Sequence, residues 1–599
     1  MMKKRTYLIF TVVFLFVFSL SQGFAQEQTE SEKTEVNLSL VENPQPVDEK
    51  VKTGFESITG KDGLTYLEYI SSDVLNGREA ASQGYEAAAR YAASMFSLWG
   101  ILPAGDQKPS RSRGMFGMQG AQSKPERSYL QEVELREFVS IDGDMQVIWR
   151  SGQMEKTHTF LPNIDYLHFG SGTQSETAPV VFAGYGIQDE SIKWNEYKNI
   201  DVKGKFVMMF SGLPGADDPD SPFNDPEIKK KYQRPPMMRR WTSPKIETAR
   251  KLGAAGVLMI ENDVSDGQDI PDQIIRGRLI NDERPIFPGE RKRMSLVQGR
   301  GLPMPWQSVM QIRISRETAD IILAMVNRDT QKIQDKILSA YTPASFALED
   351  VTLKLSNRAE TKLVSSPNVL GYIEGSDPER KDEVIVIGAH LDHLGKRGDY
   401  IFNGADDNGS GSVGVMEIAE AFSKNPVKPK RSILFALWTA EEKGLLGSRY
   451  YVSHPFFPLD KTVACLNLDM ISRNWDKATL QRMSRMWDIN VDKETMEKIN
   501  VKNFISLSFA ENAPYLGDLL RKYNQNVGLS LHLRASESGM GGSDHAPFAM
   551  SSIPWVFFFA AMTEDYHQPS DSVDKINAEL MEKIMRLTYL TAFHIADQE

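Results

Sequence analysis

Val-Ile-Val-Ile-Gly-Ala-His-Leu-Asp-His, residues 384–393, is an apolar run that gives way abruptly to His390, Asp392 and His393. A short run with no polar alternation is the pattern of a strand buried on both faces, because such a strand has no solvent side to alternate toward. Comparable runs recur at 432–438, 462–468 and 553–560, and helical spacing fills the stretches 411–423, 443–452 and 513–523. The alternation predicts an α/β fold with a mostly parallel central sheet flanked by helices on both faces. In sheets of this kind ligands bind at the carboxyl ends of the strands.

The residues at those ends are chemically unusual. His390 and Asp392 follow the first run, Glu441 and Glu442 the second, Asp469 the third, and Tyr566 and His567 the last, while Asp406-Asp407-Asn408-Gly409-Ser410-Gly411 forms a glycine-rich turn ahead of a helix. An imidazole with a carboxylate close by suits zinc, since the carboxylate can hold the other ring nitrogen. Each element also has a plain reading: a structural His-x-Asp, helix N-capping by Asp and Asn, and acidic residues at a helix start. The adjacent pair Glu441-Glu442 is harder to explain plainly, because the two charges repel unless a cation or a proton separates them. In combination the residues read as a hydrolytic two-metal site.

The ordered motifs over 384–571 resemble the co-catalytic di-zinc exopeptidases, a family that includes secreted bacterial aminopeptidases and, on a larger scaffold, glutamate carboxypeptidase. Leu75-Asn76-Gly77-Arg78 and the following helix to Gly100 resemble that family's N-terminal catalytic segment, and 178–210 with 249–261 resemble an inserted, β-rich protease-associated domain. The resemblance implies two zinc ions per chain: His390 and Asp469 on one, Glu442 and His567 on the other, and Asp407 bridging both. It further implies that Asp392 orients His390, that Glu441 is the general base and that Tyr566 donates to the oxyanion. His393 receives no role. His545, in Ser543-Asp544-His545, is a rival to His567, which is preferred because its position matches the family's ligand. The activity implied is hydrolysis of peptides by metal-activated water, as an aminopeptidase. The short stretch after His567 leaves out the helical dimerisation domain of the glutamate carboxypeptidase subgroup, so a carboxypeptidase or dipeptidase of that type ranks second. A glutaminyl cyclase and a non-catalytic binding homologue are remote alternatives.

At 599 residues the chain exceeds one hydrophobic core, so several units are expected. The divisions are 1–25, 26–58, 59–174, 175–345 and 346–599. The first follows from Lys3, Lys4 and Arg5 ahead of an apolar run at 7–20 and a small-residue stretch ending at Ala25, which is the pattern of a cleaved signal peptide. That run is shorter than a spanning helix needs, so no stable membrane anchor is expected, and the protein is expected to be exported, periplasmic or secreted. The second division, rich in Glu, Thr, Ser, Lys and Pro, reads as a disordered leader. Segments 59–174 and 346–599 form the peptidase domain, and 175–345 the insertion. A net charge of −11 argues against nucleic acid as a partner. Cys465 is the single cysteine, which excludes an internal disulfide and suits a small buried hydrophobe. The oligomeric state is left open.

Overall fold

Four parallel strands form the centre of the main sheet, in the order Ser432–Trp438, Val384–His390, Thr462–Leu468 and Trp555–Phe558. The computed structural model describes residues 38–108, 126–161, 165–168, 174–232, 243–260, 292–297, 309–486, 497–537, 539 and 542–598. All residues of the four central strands are buried except Val463, which accounts for their unbroken apolar character in the sequence. On one side the last residues of the long strand Ser345–Ile373 pair antiparallel with Ser432–Trp438, and Leu102–Pro103 lies beyond them. On the other side Phe504–Ala510 runs antiparallel to Trp555–Phe558 and parallel to Ser530–Ser536.

Side chains alternate across a strand, so Phe435 and Trp438 face opposite ways. Phe435 meets Phe422 of helix Gly411–Lys424, and Phe422 stacks in turn on Phe593 of helix Ala578–Asp597. Trp438 meets Tyr451 of helix Leu446–Ser453 and Phe548 of helix His545–Met550. The sheet is therefore covered on both faces, as the alternating pattern predicts.

The expectation of a disordered leader over 26–58 does not hold from Leu38 onward. Leu38–Leu40 pairs antiparallel with Ser530–Ser536, and Glu49–Ser57 is a helix whose N-cap, Asp48, accepts the Lys50 N–H. This helix fully buries only Val51 and Gly54, too narrow a stripe to stand out in sequence. Gly54 admits the Tyr589 hydroxyl so closely that any side chain there would collide with it. The apolar run at 7–20 and residues 26–37 lie outside the described residues.

Two long antiparallel strands, Leu130–Ser151 and Ser345–Ile373, run out of this sheet as a ribbon, with one register shift between Arg358 and Ala359. At their far end a second core gathers Met145, Val147, Phe182, Phe206, Phe210, Leu258, Ile312 and Leu353. There Gln174–Ala183, Phe206–Phe210, Gly256–Ile260 and Met310–Ile314 form successive parallel neighbours. The Asp217, Asp218 and Asp220 side chains are exposed in a turn of this unit, as a solvated loop requires. Among the described residues no helix is long and apolar enough to cross a membrane, and Cys465 is buried and free.

Candidate metal centre

The carboxyl ends of the central strands deliver their polar residues to one point. His390 Nε2 lies 3.3 Å from Asp407 Oδ1 and 3.4 Å from Asp469 Oδ1. His567 Nε2 lies 3.1 Å from Asp407 Oδ2 and 3.2 Å from Glu442 Oε1. The two oxygens of Asp407 thus face two separate clusters. Glu441 is fully buried beside the first, with Oε2 4.0 Å from His390 Nε2. The ring of Tyr566 stacks on that of His567 at 3.8 Å.

Local structure holds each of these groups in place through carboxylates and one arginine. His390 Nδ1 donates to the backbone carbonyl of Asp392 at 3.0 Å, which leaves Nε2 facing the carboxylates. The Asp392 carboxylate, 3.9 Å from that Nδ1, instead accepts the N–H groups of Glu441 and Glu442. Asp571 does the same for the other loop by accepting the N–H groups of Asp406 and Asp407. Asp406 accepts from Ser472 N–H, just past Asp469, and Asn408 accepts from Met470 N–H. The Arg78 guanidinium, buried, donates to the carbonyls of Leu391, Ile70, Asn403 and Gly404 and so ties the His390 and Asp407 loops to the N-terminal segment. Backbone strain accumulates at the same place: Ala440, Met470 and His567, each at or within two residues of a candidate ligand, have φ of 51°, 56° and 58°. Of these supports, Asp571, Asp406 and Asn408 are polar residues whose partners are remote in sequence, and no spacing rule marks them.

The electrostatics are those of a site built for cations. Burial opposes the charged form of His567, yet the Glu442 and Asp407 carboxylates prevail and hold it up to about 9. Burial likewise opposes protonation of His390, but Asp469 and Glu441 push it well above the usual histidine range. Burial and the Glu442 charge push Asp407 up, and the His390 and His567 imidazoles facing its two oxygens prevail to hold it well below the usual carboxylate range. Burial pushes Asp392 up to about 6. One donor atom from each of His390, Asp407 and Asp469 lies within 4.8 Å of the others, and the same holds for His393, Asp407 and Glu442. His390 Nε2, His393 Nδ1 and His567 Nε2 are buried without a hydrogen-bond partner. Buried imidazole nitrogens and carboxylate oxygens converging in this way fit a zinc-type donor set.

The rival His545 sits elsewhere. Its ring stacks on Phe557 at 4.5 Å and lies 4.6 Å from Trp555, and burial pushes it down to about 3. His393, to which no role was given, stands instead inside the second cluster, with Nδ1 3.2 Å from Glu442 Oε1.

With this geometry the likeness to known proteins becomes specific. Residues 368–592 match Peptidase family M28. "Aminopeptidase YwaD" of Bacillus subtilis (strain 168) is 27% identical over 259 residues, covering 42% of this chain and 49% of the relative. "Glutamate carboxypeptidase 2 homolog" of Caenorhabditis briggsae is 25% identical over 438 residues, covering 65% and 49%. The chain thus spans about half the length of these curated relatives. Among solved structures, "Aminopeptidase from Aneurinibacillus sp. strain AM-1" superposes with a TM-score of 0.54 at 17% identity, covering 92% of this chain and 97% of that one. That likeness is one of fold.

Proposed function

We propose that this chain is a zinc-dependent exopeptidase that removes N-terminal residues from peptides, an aminopeptidase exported from the cell. The observation that carries the reading is Asp407, whose two carboxylate oxygens each face a separate histidine-carboxylate cluster. His390, Asp407 and Asp469 would hold one ion, and Asp407, Glu442 and His567 the other. When bound, the pair supplies Lewis acidity, polarising the scissile carbonyl and lowering the pKa of the attacking water.

The remaining chemistry belongs to the chain. Glu441 takes a proton from the attacking water and passes it to the leaving amine nitrogen as the C–N bond breaks. Asp392 keeps Glu441 and Glu442 in place through their N–H groups. Tyr566 donates a hydrogen bond from its hydroxyl to the oxyanion of the tetrahedral intermediate. Burial of the ligands keeps bulk water away and strengthens each of these interactions. We assign 175–345 as an inserted protease-associated domain, a reading supported by the second core that its residues form together with Met145, Val147 and Leu353 of the two long strands that tether it. Export rests on the signal-like N-terminus.

Support for aminopeptidase activity comes from the name of the Bacillus relative; the glutamate carboxypeptidase homologue, matched over more of the chain, favours a carboxypeptidase as the second reading. Zinc-loaded protein should be offered one peptide in free, N-acetylated and C-terminally amidated forms. The proposal expects cleavage of the free and amidated forms and none of the acetylated one. Cleavage that survives acetylation but is lost on amidation would establish the carboxypeptidase instead.

A further inference from the structure

His393 is fully buried, and neither of its ring nitrogens has a hydrogen-bond partner. A neutral imidazole left this way costs its desolvation with nothing returned, so the position calls for an explanation. Its ring is fixed by packing: Gly404 lies so close to it that a Cβ there would collide with the imidazole, and the His567 ring meets it edge-on at 5.8 Å. The Nδ1 that results stands 3.2 Å from Glu442 Oε1 and 4.0 Å from Asp407 Oδ2.

Four donors that bind zinc at ~2.0–2.1 Å in a tetrahedron must stand about 3.3 Å from one another. Four of the six separations are at hand: 3.1 Å from His567 Nε2 to Asp407 Oδ2, 3.2 Å from His567 Nε2 to Glu442 Oε1, and the two for His393 just given. A simple hydrogen bond from His393 to Glu442 has the distance but not the direction, since Nδ1 forms none. His545, also buried with Nδ1 unpartnered, has a different setting, because aromatic rings cover its faces.

We propose that His393 is a further ligand of the metal on the Glu442 side, so that this ion has four protein donors: His393, His567, Asp407 and Glu442. The inference rests on the two-metal reading above. It makes the two positions unequal. The ion at His390 would have three protein donors and the ion at His393 four. The four-donor ion is the tighter one and loads first.

The test is a zinc titration of metal-free full chain, wild type against His393→Gln, by competition with a chromophoric chelator, with circular dichroism to verify folding. Wild type should bind two ions, and the variant should hold the tighter one about tenfold or more weakly with the weaker one unchanged. Unchanged affinities for both ions in a folded variant would overturn the inference while leaving the two-metal reading intact. Wild type binding fewer than two ions would overturn that reading and the inference with it. Should His393→Gln fail to fold, zinc-edge X-ray absorption of the loaded wild type decides: three imidazoles shared between two zinc ions support the inference, and two refute it.

Discussion

At the scale of single residues, the site separates histidines that look alike in sequence. His567 follows the last central strand and faces Asp407 and Glu442, whereas His545 starts a short helix and stacks on Phe557. His567→Ala is expected to lose zinc and activity, and His545→Ala to keep both metals, with at most altered substrate affinity; metal analysis of the two variants checks this. Loss of zinc from His545→Ala, with His567→Ala fully loaded, would reverse the assignment. His390, Glu442 and Asp469 were legible as candidates because each lies just past an apolar run, and chain direction alone brings such ends together, whereas Asp407 was marked by its glycine-rich turn ahead of a helix and His567 by its motif. His393 was not, because its place beside Glu442 depends on how Gly404, further along the chain, packs against its ring. Asp571 was not legible either, since its partners are the N–H groups of Asp406 and Asp407, far away along the chain.

At the scale of elements, the central strands matched their apolar runs closely, with 432–438 and 462–468 seen as Ser432–Trp438 and Thr462–Leu468. The helix Glu49–Ser57 escaped notice because its burial depends on Tyr589 of a helix at the other end of the chain. The sequence of the ribbon strand Leu130–Ser151 divides into two short runs, 131–138 and 145–149, because Asp142-Gly143-Asp144 interrupts its apolar pattern while its pairing with Ser345–Ile373 continues through. Helix Gly411–Lys424 carries a further consequence. Glu417 on it is buried, and burial followed by the charge of Glu420 pushes its carboxyl up to about 8. The unfolded chain ionises it near ~4.3. The folded state therefore binds the proton more tightly, and the stability this contributes is full below about pH 4 and is lost as pH rises through about 8. Urea unfolding of the metal-free protein should show wild type losing a few kcal/mol between these limits and Glu417→Gln losing less. An equal loss in both would mean that Glu417 is not the group responsible.

At the scale of the whole molecule, the second unit is tied to the peptidase sheet by both strands of one ribbon, which restricts how far it can swing. Strand Arg293–Leu296 pairs with the base of that ribbon and places Met294 in a small cluster with Ala80, Val133, Leu135, Ala440 and Leu446. Ala440 directly precedes Glu441, so this contact brings the second unit to the rim of the site, where it can limit which peptides enter. Met294→Ala is expected to shift the ratio of kcat/KM for long against short peptides while zinc content stays constant. A change by one common factor for all lengths would remove the second unit from substrate selection. Beneath all of this lies the claim that the convergence of strands builds a hydrolytic centre with Glu441 as its base. The most direct test is kcat of Glu441→Gln in a preparation whose measured zinc content equals that of wild type. The account predicts a loss of ~10² to 10⁴, because the amide keeps the shape and cannot accept the proton. Wild-type turnover in that fully loaded variant would contradict it.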